Sequence, residues 1–136
     1  MADRWLFKTE PSAYSFQQLQ KDKRTVWDGV KNNLALKHLA GIKEGDWILI
    51  YHTGDEKAAV GVARALSAAY PDPAKKDPKL KVVEIEPDKA LSRPVTLAEM
   101  KADAKLKNFD LVRLPRLSIM PVSEEQFKII EEMARR

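Results

Sequence analysis

The sequence predicts an α+β fold: a curved, mostly antiparallel sheet or small barrel with short helices at its periphery. Three observations predict it. Strand-like segments recur along the 136 residues, three of them closed by glycine or proline. Three short segments open on a capping-box pattern, Ser15 with Gln18, Thr96 with Glu99 and Ser123 with Gln126, and read as helices. Strands and helices do not alternate regularly, which argues against a doubly wound parallel sheet. The length fits one domain, residues 1–136, able to bury a real core.

The elements follow in order. "RWLFKTE", Arg4 to Glu10, has strand residues and stops at Pro11, which cannot continue a central strand. "SFQQLQKD" is a short helix with Phe16 and Leu19 facing inward. "TVWDGVKN" is an irregular linker around Gly29. "NLALKHLAGI" is a helix, with Ala35, Leu39 and Ile42 on one face. Gly45-Asp46 turns the chain into "WILIYHT", Trp47 to Thr53, a continuous apolar strand covered on both faces. After the turn Gly54 to Lys57, the small-residue strand Ala58 to Leu66 lets another backbone or a ligand come close. "YPDPAKKDPK" is a proline-rich loop, and "LKVVEIEP", Leu80 to Pro87, is the next strand. "TLAEMKADA" is a helix and "RLSIMPV" a strand. The last helix sets Phe127, Ile130 and Ala134 on one face. Trp5 and Trp47 lie inside strand patterns and belong to the core.

Composition narrows the function. There is no cysteine, so disulfides and thiolate metal sites are excluded. With only two histidines, His38 and His52, a zinc site is not expected, and no cofactor is implied. No apolar run reaches the roughly 20 residues that span a bilayer, and the N-terminus lacks a signal-peptide core, so a cytoplasmic location without membrane contact is expected. The net charge of +4 permits nucleic-acid binding, but no block concentrates it. A site for a few nucleotides or one small polar ligand fits better than a surface that wraps duplex DNA. P-loop, dinucleotide-binding, metalloprotease and nucleophile-elbow patterns are absent from the sequence.

Four places carry chemistry. His38 reads as a surface or half-buried helix histidine. His52 ends an apolar strand, where it either bonds a neighbouring loop or touches a ligand. A hydrolase or transferase acting on a nucleotide-like ligand would pair it with Asp28 or Glu10 as acid and base. Lys8, Thr9, Glu10 and Pro11 end the first strand with a cation, a hydroxyl and an anion. Taken alone they are a solvated strand end. Trp27 taken alone is a partly buried core ring. Together, a flat aromatic among amide, hydroxyl and charged groups is what a nucleobase pocket needs. Stacking on an aromatic is worth roughly 1–3 kcal/mol per base, and polar groups read the base edge.

Six ordered motifs then become recognisable: "WLFKTEP", "YSFQQL", "WDGVKNNLA", "GDWILIYHT", "VGVARAL" followed by "YPDP", and "PRLSIMPVS". Over nearly its whole length the chain resembles the EVE domain family of the thymocyte nuclear protein 1 type. That family belongs to the PUA-like superfamily, with the YTH and ASCH domains. The resemblance implies a PUA-like pseudobarrel and a pocket for a modified nucleobase. It implies a non-enzymatic reader of a modified base, a modified cytosine foremost, in single-stranded or base-flipped DNA or RNA, acting as a monomer. Carried over by position, the pocket draws on Lys8, Thr9, Glu10 and Pro11, on Trp27, Asp28, Val30, Lys31 and Asn32, and on Tyr51, His52 and Thr53. Trp27 stacks on the base; Asn32 and backbone near Thr9 and Val30 bond its edge. Lys8 and Lys31 face phosphate or a polar substituent, and Glu10 and Asp28 either accept from an exocyclic amino group or orient neighbouring side chains. "PRLS", Pro115 to Ser118, is a further motif match. The chain departs from the family pattern at Lys31, in place of an arginine, and at Asn33, Leu36 and Thr53. A lysine keeps the charge but loses the planar fork. A third reading is a plain interaction module for an anion or a peptide, marked by weak, salt-sensitive binding.

Overall fold

The computed structural model describes residues 2–136. Its centre is a seven-stranded sheet built from β1 (Arg4–Thr9), β2 (Thr25–Trp27), β3 (Trp47–His52), β4 (Ala58–Ala65), β5 (Tyr70–Pro71), β6 (Lys81–Thr96) and β7 (Ile119–Val122). The order is β2-β6-β4-β3-β1-β7, with β5 added to β6. All pairings are antiparallel except β1 with β3. The helices α1 (Phe16–Asp22), α2 (Asn33–Ala40), α3 (Leu97–Ala102), α4 (Asp110–Arg113) and α5 (Glu124–Ala134) are all short and sit around the sheet. This is the curled α+β pseudobarrel that the sequence predicts.

The core explains the pattern. Leu6, Phe7, Ile48, Leu49, Ile50, Val83 and Ile85 come from the strands and are at most 1% exposed. Phe16, Leu19, Ala35, Leu39 and Ile42 cover them from the helical side. The small residues of β4 admit a side chain rather than a backbone or a ligand. A Cβ on Gly61 would stand 2.4 Å from two ring atoms of Phe16, so the ring lies flat on the strand where only glycine leaves room.

The caps form as predicted. Ser15 accepts from the Gln18 amide at 3.0 Å, and the reciprocal capping boxes close at Thr96 with Glu99 and at Ser123 with Gln126. The turn before β3 contributes more than a change of direction. Asp46 is 2% exposed, and its carboxylate accepts from the amides of Asp3 and Lys43 and from the Trp5 indole N–H, at 2.9–3.0 Å. Those bonds tie the start of β3 to the start of β1 and fix the parallel register Arg4 opposite Trp47.

Five expectations need correction. The linker at Thr25 is a strand to begin with: Thr25, Val26 and Trp27 pair with Ile85, Glu84 and Val83. Tyr70–Pro71, expected as loop, pairs with Val82 and Lys81. β6 does not stop at Pro87 but runs sixteen residues, because register shifts against β4 absorb the proline and let pairing resume to Thr96. β7 begins only at Ile119, and Trp47 is half-buried, with the Arg64 guanidinium 5.5 Å over its ring. Trp5 is a core residue, 8% exposed.

Candidate functional site

The parallel pair positions the site. β1 and β3 run the same way, so their C-terminal ends emerge side by side. Lys8 lies opposite Tyr51 and Thr9 opposite His52, and the Thr53 amide continues the ladder onto the Thr9 carbonyl at 2.9 Å. Trp27 arrives from the far end of the strand order. β2 is separated from β1 by three strands, yet the Trp27 ring lies 5.2 Å from the Phe7 ring, tilted 47°. Only a curled sheet lets the two meet.

Between them opens a cleft of about 550 Å³. Lys8, Thr9, Glu10, Trp27 and Asp28 line it, joined by Ala13, Tyr14, Thr25 and Val26. Tyr14 stands edge-on to Trp27, at 6.1 Å and 86°, so the two rings form a corner. The Tyr14 hydroxyl donates to Asp22 at 2.9 Å, and burial pushes its phenol upward from the ordinary value. The Thr9 hydroxyl donates to the Tyr14 carbonyl at 2.7 Å, which ties this wall to β1. Val26, 45% exposed, offers apolar surface at the rim.

Lys8 is held in place. Its ammonium donates to the Pro115 carbonyl at 2.8 Å and lies 5.9 Å above the Tyr51 ring. Burial pushes its pKa below the ordinary lysine value. Glu10 is exposed at the edge, where its carboxylate accepts from the hydroxyls of Ser12 and Thr53, both at 3.3 Å.

The cleft thus brings together five of the twelve residues named from the sequence. Pro11, Val30, Lys31 and Asn32 are not among its lining residues. Val30 is 9% exposed, and Lys31 is exposed on the segment just after the cleft. The Asn32 side-chain oxygen accepts from the Ala35 amide at 3.0 Å and caps α2. Tyr51 and Thr53, with Pro115, face a neighbouring cavity that shares Lys8. Tyr14 is the wall that residue-by-residue reasoning missed. Its signal lay in the motif "YSFQQL", one turn of chain beyond the charged tetrad.

His52 has neither of the partners an acid–base reading gives it. It is 1% exposed. Nε2 accepts from the Phe16 amide at 3.0 Å, and Nδ1 lies 2.6 Å from a Glu56 carboxylate oxygen. Accepting at Nε2 requires the proton to sit on Nδ1, which donates to Glu56. Both nitrogens are occupied, and neither Asp28 nor Glu10 is involved. The histidine ties the start of α1 to the end of β3. Among the described residues no group of three or more histidine, aspartate or glutamate side chains is placed to hold a metal ion. No described helix is long and apolar enough to cross a membrane.

Residues 3–133 match the EVE domain family. The chain belongs to that family. It is 29% identical to human thymocyte nuclear protein 1, over 96% of this chain and 73% of that protein. A crystal structure of the human THYN1 protein in complex with 5-methylcytosine-containing DNA superposes with a TM-score of 0.90, at 28% identity, over 99% of each chain. The NMR structure of a Rhodopseudomonas palustris protein superposes with a TM-score of 0.93 at 37% identity, over 98% of this chain and 94% of that one. An ASCH protein of Zymomonas mobilis shares the fold at 15% identity and a TM-score of 0.59, over 93% and 92% of the two chains.

Proposed function

We propose that this EVE domain is a non-enzymatic reader that holds one modified base, foremost a modified cytosine, from single-stranded or base-flipped DNA or RNA. One observation carries the reading. The cleft of about 550 Å³ has an aromatic corner, Trp27 against Tyr14, and a polar side made of Thr9, Glu10, Asp28 and Lys8. An extruded base needs a face to stack on and groups to read its edge. The human relative's complex with 5-methylcytosine-containing DNA supports the choice of ligand.

In this reading Trp27 stacks on the base, and Tyr14 limits how far the ring slides. The Asp28 and Glu10 carboxylates accept from an exocyclic amino group. Lys8 neutralises the phosphate beside the flipped nucleotide, and exposed Lys31 meets the strand beyond it. These edge contacts select a base that carries an exocyclic amino group, and discrimination at the 5-position falls to the apolar surface that Trp27, Tyr14 and Val26 offer. The locked His52 leaves the hydrolase or transferase reading without its base.

The test is a titration with short single strands that differ at one central base: cytosine, 5-methylcytosine or 5-hydroxymethylcytosine. Tryptophan fluorescence reports binding. One modified base is bound best, and Trp27→Ala weakens that binding about tenfold to a hundredfold, the value of one stacked base. Trp27→Phe keeps a ring and loses less. Equal, weak binding to every strand, untouched by either substitution, would make Trp27 a core ring and refute the proposal.

A further inference from the structure

The cleft at Trp27 has a neighbour with the opposite character. A cavity of about 340 Å³ shares Lys8 with it and has Lys57 and Lys101 on its rim. Tyr51, Leu97, Leu111 and Val112 give it an apolar floor. No carboxylate is among the residues that line it. None of the three lysines is ion-paired among the described residues. Three cations around one small cavity repel one another, and an anion relieves that repulsion.

The backbone at the rim supports the same reading. Lys57 has φ 45°, a left-handed conformation that a side-chain-bearing residue seldom adopts. It is held there because its carbonyl accepts from the Leu97 amide at 2.8 Å. Strain of this kind, on the order of 1–3 kcal/mol, persists where surrounding structure fixes it and gathers at ligand sites. Here it fixes the backbone of a lysine on the wall of a cavity.

The border between the two compartments decides the ligand. Lys8 lines both. The Thr53 hydroxyl, on the second, donates to Glu10, on the first, at 3.3 Å. A base seated against Trp27 therefore carries its own phosphate to Lys8, and the strand continues toward Lys57 and Lys101. We infer that the second cavity is a phosphodiester site that takes the linkage and the adjoining nucleoside next to the recognised base, with Lys57 and Lys101 gripping phosphate over the apolar floor. This rests on the reading of the Trp27 cleft, and makes the ligand a stretch of strand rather than a free base.

The experiment uses two short single strands, identical except that one carries the modified cytosine and the other an abasic sugar at that position. Each is titrated between 50 and 200 mM salt against the parent and the double variant Lys57→Asn/Lys101→Gln. Asparagine tolerates the left-handed backbone, and both lysines are exposed, so melting temperatures match. Each lost phosphate contact lowers the salt slope on a single strand by about 0.7, so the variant loses about 1.4 in slope and about tenfold in affinity, on both strands alike. Trp27→Ala lowers affinity for the modified strand alone. Equal affinities and slopes for parent and double variant on both strands overturn the phosphodiester site. A parent that binds both strands equally overturns the base reading and leaves the lysine result to stand or fall by its own slopes. A parent that binds neither strand overturns both.

Discussion

Replacing His52 with alanine separates a structural histidine from a catalytic one. The ring is 1% exposed and both of its nitrogens are engaged. Removing it leaves the Phe16 amide without an acceptor in a buried place, a loss of about 1–3 kcal/mol. The missing ring also leaves a void between the end of β3 and the start of α1, which costs a further 1–2 kcal/mol on the order of a partly collapsed core cavity. Together the substitution should cost about 2–5 kcal/mol, a large part of a typical total of about 5–15 kcal/mol. Urea unfolding followed by tryptophan emission measures it. His52→Gln, whose amide can accept from one partner and donate to the other, should recover part of the loss. Glu56→Ala should cost less, because the Glu56 side chain is 39% exposed. The base-binding affinity of whatever fraction remains folded should be unchanged. If His52→Ala unfolds within about 0.5 kcal/mol of the parent, the hydrogen bonds of His52 do not hold α1 in place.

Other outcomes follow from the same geometry. Gly61→Ala pushes a methyl into the Phe16 ring, whose own backbone is tied to His52, and should cost about 1–3 kcal/mol or more. Combining it with Phe16→Leu should cost less than the sum of the two, as a denaturation cycle would register, and strict additivity would contradict the contact. Asp46→Ala strips three N–H donors of their acceptor and should destabilise by about 3 kcal/mol, with the Trp5 emission shifted as its indole loses a partner. Hydrogen bonds from Arg93 hold the Glu99 carboxyl down from 4.5 to about 2. Between those values the unfolded chain binds a proton there that the folded chain does not. This part of the stability is present above pH 4.5 and is lost as pH falls toward 2. Glu99→Gln should flatten the acid limb of a stability–pH curve, and an unaltered limb would show that the pair carries no linkage.

Much of the fold was legible because local signals agreed with one another. Ser15, Thr96 and Ser123 announce helix starts through a hydroxyl at a fixed spacing from its amide partner, and the backbone uses each one. The run from Trp47 to Thr53 reads as a buried strand; the strand spans Trp47–His52 and is buried from Ile48 onward. What stayed hidden depends on distant partners. Thr25 to Trp27 are strand-favouring residues in a run of only three, and they pair because Val83 to Ile85 passes beside them. Pro87 reads as an end, and register shifts carry the strand past it. The site divides in the same way. Lys8 to Glu10 and Trp27 with Asp28 line one cleft, as their chemistry implied. Asn32 and His52 bear equally suitable groups, yet local structure uses them first, one as a helix cap and one as a tie between elements. Residue type cannot show which hydrogen bonds are already taken.

β1 lies between β3 and β7, so the first strand of the chain is completed by the last, with Arg4 opposite Val122 and Phe7 opposite Ile119. On the ribosome, on the order of ten seconds separate the synthesis of the two. Throughout that interval one edge of a strongly apolar strand stays open, a template for the wrong neighbour. The site shares this delay, because Lys8 takes its position from the Ser118 and Pro115 carbonyls at the approach to β7. A permuted chain, with its ends joined and reopened in the exposed stretch between Pro73 and Lys79, would place β7 ahead of β1 with only α5 and the joined ends between. The latest pairing in the sheet would then become one of the earliest.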